Sequence, residues 1–192
     1  MSMIMNRAPA REPVSLEEVK AALGLSGVHE DTLLSCLLVA ARMVCEHRTG
    51  LVFIDQEWSF FLDQWPASGI VQTPVAPVRT VNAVKVHDWH DGAVDLSLDL
   101  FDADAGPYPA YIHFKRDRVP APRRAYDSIE IVVTAGLAET ADQVPQPIRQ
   151  AVLELASEWF VAREPVAFGH GDIPIAEPIS KLLAPYRYAT VH

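Results

Sequence analysis

The hydrophobic positions of this chain change period twice. Residues 15–50 and 145–164 carry apolar side chains at helical spacing, and the stretch between them alternates. Ser15-Leu16-Glu17-Glu18 has the form of a capping box, in which the serine accepts from a first-turn amide and the glutamate reaches back. It opens a short helix with Leu16, Val19 and Leu23 on one face. After the break at 24–27 a second helix is predicted from about Glu30 to Thr49, where Gly50 can take the left-handed closing conformation. Between Leu33 and Cys45 only Ser35 and Arg42 are polar. Apolar surface then wraps nearly the whole circumference, the pattern of a helix covered on all sides. A lone monomer does not need this, so Leu33, Leu34, Leu37, Leu38, Ala41 and Val44 are expected to act as core or as contacts between subunits.

From about Glu57 to Gly136 the pattern alternates and turn residues recur at short intervals. Short strands are predicted at Trp58 to Leu62, Ile70-Val71, Val78 to Val86, Val94 to Phe101, Tyr111 to Phe114 and Ile129 to Thr134, with Asp91-Gly92 as a tight hairpin turn. Helical spacing returns after Pro145 and Pro147, which suit a helix start, and runs to Arg163 ahead of Pro165. Ile148, Ala151, Val152, Leu155, Ala156 and Trp159 share one face of this helix. The expected class is α+β: an antiparallel helical core, made of the N-terminal helix pair and the long C-terminal helix, with an inserted antiparallel β region. Its parts are a flexible arm (1–14), one connector domain (15–164) whose helices at 15–50 and 145–164 bracket the insertion at 55–136, and a docking tail (165–192).

The tail is rich in glycine and proline through Pro174. It then offers Pro178 as a first helical residue and a stripe of Ile179, Leu182, Leu183 and Tyr186. Two turns are far below the roughly 12 residues at which isolated helices become marginal in water. This helix must dock, either on its own domain or on a partner.

Composition narrows the function. A chain of 192 residues favours one compact body, and 49% hydrophobic with 21% charged residues excludes wholesale disorder. The net charge of -9 argues against a role that depends on neutralising phosphates. The local basic patch of Lys115, Arg116, Arg118, Arg123 and Arg124 is read most simply as a solvated loop around Pro120 and Pro122. Cys36 and Cys45 share one predicted helix, about two and a half turns apart, and cannot bridge each other. Read as free, buried thiols without a signal peptide, they point to synthesis in a reducing bacterial cytoplasm. No apolar run approaches the roughly 20 residues of a membrane span.

The polar residues do not converge on chemistry. His87-Asp88-Trp89-His90-Asp91 is the one metal-like cluster, but on a strand His87 and His90 project to opposite faces and Asp91-Gly92 marks a turn. Asp102-Ala103-Asp104-Ala105-Gly106 begins like a calcium loop, yet its glycine comes one place early and the twelfth position is His113 rather than glutamate. Phosphate-loop, serine-elbow and His-Glu-x-x-His signatures are absent. Cys45-Glu46-His47 sets a thiol beside an imidazole in sequence, but neighbouring helical positions diverge by about 100 degrees. His170 falls between two glycines of the tail. Trp58, Trp65, Trp89 and Trp159 are scattered and are expected mostly in the core.

The order of signals carries a resemblance. It comprises the capped helix at 15–23 and Asp31-Thr32-Leu33-Leu34 through Ala40-Ala41-Arg42 to Glu46-His47-Arg48-Thr49-Gly50. Gln56-Glu57-Trp58, Pro74-Val75-Ala76-Pro77-Val78 and Val132-Val133-Thr134-Ala135-Gly136 follow. Val144-Pro145-Gln146-Pro147-Ile148-Arg149-Gln150-Ala151, Trp159-Phe160, Arg163-Glu164 and Leu182-Leu183-Ala184-Pro185-Tyr186-Arg187 complete it. In this order and spacing the chain resembles the head-tail connector (adaptor) family of tailed phages and gene transfer agents. The resemblance implies a dodecameric ring beneath the portal that joins the capsid to the stopper and tail while DNA passes as cargo. It implies a location in the particle neck, no catalysis and no cofactor, with Ile179, Leu182, Leu183 and Tyr186 as the portal-docking anchors. Two alternatives stand beside it: a small metal-dependent enzyme using His87, Asp88 and His90, or another neck protein such as a stopper or tail terminator.

Overall fold

The computed structural model describes residues 2–89, 92–104, 110–162 and 175–187. The fold is α+β, with four α-helices and antiparallel sheets among the described residues. The chain divides into two compact units, one of Met1–Pro9 with Asp55–Leu137 and one of Ala10–Ile54 with Ala138–His192. Where the sequence pattern predicts one connector domain with an insertion, the β stretch gathers a core of its own.

The first unit holds strands β1 (Ser2–Arg7), β2 (Gln56–Leu62), β3 (Ile70–Gln72), β4 (Val78–His87), β5 (Ala93–Asp95), β6 (Phe101–Asp104), β7 (Tyr111–Phe114) and β8 (Ile129–Ala135). One sheet has the order β1-β2-β8-β4-β5, and a three-stranded sheet has the order β3-β7-β6. β8 lies at the centre of the larger sheet and reads Ile-Glu-Ile-Val-Val-Thr-Ala: Ile129, Ile131, Val133 and Ala135 share one fully buried face, and Glu130 and Thr134 lie half-buried on the other. Its register with β2 is unbroken from Gln56↔Ala135 to Leu62↔Ile129. On β4 two irregularities interrupt the register, between Val78 and Thr80 and between Val81 and Ala83. Phe60, Val84, Ile129, Ile131 and Val133 form its core. Gly136 closes β8 against Asp55: a Cβ there would lie 2.6 Å from the Asp55 amide nitrogen, so only glycine fits.

Two predictions fail in this unit. The expected loose arm contains β1, which pairs antiparallel with β2 from Ser2↔Phe61 to Arg7↔Glu57. Exposed Met3 and Ile4 give this edge strand no alternation to betray it. The predicted single strand from Val94 to Phe101 is broken into β5, a 3-10 turn at Leu98–Leu100 and β6. Ser97 carbonyl accepts from the Leu100 amide at 3.2 Å, and the chain leaves the sheet of β4 for that of β7. Asp91 of the predicted hairpin, part of the calcium-like run at 105–106, Arg163 and Glu164, and the tail at 165–174 with His170 lie outside the described residues.

The second unit holds α1 (Leu16–Leu23), α2 (Asp31–Thr49), α3 (Gln146–Ala162) and α4 (Glu177–Leu183). The capping box at Ser15 and Glu18 is formed, and α1 closes on Gly24 at φ 66. α3 packs on α1, α2 and α4. Its predicted face is the buried one, with Ile148, Ala151, Val152, Leu155 and Ala156 in the core, whereas Trp159 is half-buried. Opposite them sit Val19, Leu34, Leu38, Ala41 and Cys45. Each buried leucine contributes about 1.5–3 kcal/mol by removal from water.

Arg42, at 2% exposure, lies in this core as well. Its Nε donates to Glu12 at 2.7 Å and its Nη1 to Glu46 at 2.5 Å, and Glu46 accepts in addition from the Phe53 amide at 2.9 Å. Burial pushes the Glu46 carboxyl above the usual range although Arg42 and the Phe53 amide pull it down. The segment before α1 is tied in at two further points, since Val14 is buried and Arg149 Nε donates to Pro13 carbonyl at 3.0 Å. The second half of the expected arm is therefore fixed to the helices.

Candidate assembly surface

Within the single chain α2 is covered on one side only. Of its singled-out residues, Leu34, Leu38 and Ala41 are buried, Leu37 and Val44 are half-buried, and Leu33 is 48% exposed. The buried stripe continues through Arg42, Cys45 and Thr49. Turned away from it are Leu33, Cys36, Val39 and Met43, the last 52% exposed, with Ala40 half-buried among them. These positions recur at three to four residues and so share one face. Beside them a groove of about 390 Å³ opens, lined by Glu12, Val14, Leu16, Leu38 and Val39. The helix therefore has one face for its own core and one apolar face left to solvent, a pattern that marks protein contact when it is contiguous. The expectation of two buried cysteines is corrected by the same geometry: Cys36 is exposed, and Cys45 is buried with its thiol pushed up to about 12 by desolvation first and the neighbouring Glu46 second.

The tail stripe faces inward. Ile179 and Leu183 are buried, and α4 packs on α3 and touches α2. Two of the four expected portal anchors are thus used within the chain, because a two-turn helix gains most by covering the nearest apolar surface. Leu182 and Tyr186 stay half-buried.

The metal-like cluster has other duties. His87 Nε2 lies 3.2 Å from Glu130 Oε2, Ser59 donates to Glu130 Oε1 at 2.8 Å, and Asn6 donates to Ser59 at 2.8 Å. This polar row crosses β4, β8, β2 and β1, and its members are too far apart in sequence for spacing to suggest it. Asp88 closes a turn, accepting from the Gly92 amide at 2.9 Å, while His90 lies outside the described residues. Among the described residues no three His, Cys, Asp or Glu side chains are grouped to hold a metal ion. Nor is any of the four tryptophans fully buried, and Trp89 is exposed.

No protein-family model matches the chain, and no curated protein matches it in sequence. Solved structures do match in fold. A chain in the neck of an empty gene transfer agent particle, computed with C6 symmetry, is 22% identical and superposes with a TM-score of 0.84, covering 100% of this chain and 98% of that one. This chain has the fold of that neck chain. A chain in the virion of the native gene transfer agent particle matches at 22% identity and TM-score 0.80, over 100% of this chain and 98% of that one. A third, from the neck of the native particle computed with C12 symmetry, matches at 23% identity and TM-score 0.74, over 98% and 97%.

Proposed function

We propose that this chain is a structural subunit of the neck of a phage or gene transfer agent particle, of the adaptor type. It forms a ring below the portal, joins the capsid to the stopper and tail, and lets DNA pass. The observation that carries this reading is the end-to-end correspondence of fold with chains from gene transfer agent structures, both units included. Six- and twelvefold symmetry in those necks fits a subunit whose two flanks meet unlike flanks of its neighbours. The open face of α2, with Leu33, Cys36, Val39 and Met43, supplies one such flank. Ile179 and Leu183 hold α4 on its own unit, and in this reading Leu182 and Tyr186 provide the outward contact to the portal.

Mixing the purified chain with the cognate portal tests the proposal by electron microscopy and native mass spectrometry. A ring seated on the portal at its narrow end is expected. A chain that stays separate from portal at micromolar concentrations would sink the reading, and a ring bound only to the stopper or tail side would move it to another neck position.

A further inference from the structure

Residues 115–124 read Lys-Arg-Asp-Arg-Val-Pro-Ala-Pro-Arg-Arg, so Lys115, Arg116, Arg118, Arg123 and Arg124 gather five of the chain's 16 basic residues around a single acid, Asp117. Net charge governs long-range steering, but a contact is decided within a Debye length, about 10 Å at 0.1 M salt. The geometry keeps these charges available. Lys115 Nζ donates to Asp99 carbonyl at 2.9 Å and Arg116 Nη1 to Ala67 carbonyl at 3.1 Å, neutral acceptors that orient a cation without cancelling it. Arg118 and Arg123 are exposed and form no ion pair with any described residue. Arg124 differs: it turns inward to the carbonyls of Tyr126 and Asp127, beside Asp63, and is left out of the set.

The segment is also held in shape. The Arg118 amide donates to Lys115 carbonyl at 2.9 Å, closing a 3-10 turn. Trp65 Nε1 donates to Pro120 carbonyl at 2.9 Å, and the indole is packed 4.9 Å from the Phe114 ring and 6.0 Å from that of Phe101. Pro120 and Pro122 fix two backbone angles. An open groove of about 350 Å³ runs alongside, lined by Trp65, Arg116, Val119 and Pro122, and Tyr126 stands 76% exposed at the end.

We propose that Lys115, Arg116, Arg118 and Arg123 contact the phosphodiester backbone of nucleic acid without reading its sequence. Three of the four are arginines, whose planar fork pairs with phosphate oxygens. The residues between them are Asp117, Val119, Pro120, Ala121 and Pro122, so the segment itself carries no aromatic side chain, and its four cations are its main recognition chemistry. The proposal rests on the neck reading for the presence of the polymer, since the particles that share the fold are gene transfer agents.

Anisotropy of a short fluorescein-labelled DNA duplex of arbitrary sequence tests it on the full chain. Three to four phosphate contacts predict a loss of about 40- to 150-fold in affinity between 50 and 200 mM salt, from a slope of about -0.9 per contact. Arg118→Glu with Arg123→Glu should weaken low-salt binding by more than about tenfold and flatten the slope by about 1.8. Asp117→Asn should strengthen it. Absence of binding at 50 mM salt, or equal binding by the charge-reversed chain, overturns the proposal. So does equal binding to polyglutamate, which reassigns the segment to an acidic protein. Loss of DNA binding with portal association intact refutes this proposal alone, whereas DNA binding without portal association refutes the neck reading.

Discussion

Replacing Arg42 with methionine keeps the volume of the buried stem but deletes the cation between Glu12 and Glu46. Glu46 then holds a carboxylate in the helical core with the Phe53 amide at 2.9 Å still donating to it and its Arg42 bond lost. Breaking a buried pair from one side costs about 3–5 kcal/mol, because the remaining charge loses its compensation while staying out of water. Arg42→Met alone should therefore lower unfolding free energy by that amount in urea titrations followed by far-ultraviolet circular dichroism. Adding Glu46→Gln removes the charge that has lost Arg42 and keeps an acceptor for Phe53, so the double variant should regain about 2 kcal/mol, a coupling that independent sites do not show. The sign with pH follows. Glu46 sits above its ordinary value in the folded chain, so the folded state takes up its proton more readily than the unfolded one. Its contribution is complete below the unfolded value of 4.5 and is lost as pH rises through the folded value. The single variant, deprived of the cation that lowers this group, should gain stability from pH 7 to pH 5 relative to the double variant. A cost below about 1 kcal/mol for Arg42→Met, or a double variant no more stable than the single, would refute the reasoning.

Other outcomes are open to measurement. Leu155→Ala opens a cavity in the helical core and should cost about 2–5 kcal/mol in the same titration. Met43→Glu lies on the open face of α2, so it should leave stability within about 0.5 kcal/mol and abolish ring formation on the portal, as judged by electron microscopy. A thiol reagent at pH 8 should label Cys36 and spare Cys45 in the native chain, label both in denaturant, and lose access to Cys36 once the ring has formed. Ser15→Ala removes the cap of α1 and should cost about 1 kcal/mol. The Glu18 carboxyl sits below its usual value, chiefly through the Ser15 backbone amide, so the capping contribution should persist above pH 4.5 and fade as pH falls through the lowered value.

The helices were legible because their signals are local. The serine and glutamate of the α1 cap, the glycines after α1 and α2 and the spacing from Ile148 to Ala156 each act within a few residues. β8 was legible for the same reason, its run of branched residues being what a central strand requires. β1 was not, since a strand with exposed Met3 and Ile4 owes its existence to a partner that appears only at Gln56. The break after β5 hid behind an apolar-polar alternation from Val94 to Asp99 that reads as one continuous strand, and a 3-10 turn of three residues is too short to show a period of its own. Arg42 illustrates the limit for the assembly surface. In sequence Arg42 interrupts an apolar helix read as covered nearly all round, and its two carboxylate partners draw it into the core. The open face was consequently invisible as a face: of the residues singled out on α2 only Leu33 belongs to it, whereas Leu34, Leu38 and Ala41 lie in the core.

The chain crosses between its units three times, at 9–10, 54–55 and 137–138, and this sets the timing of its maturation on the ribosome. Asn6 waits for Ser59, 53 positions later, and Ser59 waits for Glu130, 71 positions beyond it. Pro13 meets Arg149 only across 136 positions. The first unit is complete in sequence once residue 137 is made, but the second needs α3, and at 5–20 residues per second residues 10–54 wait on the order of ten seconds for it. Until α3 emerges, α2 lacks the main helix that packs on its buried stripe. A chain that stops before residue 146 lacks α3 and leaves Leu34, Leu38 and Ala41 of α2 without the helix that covers them.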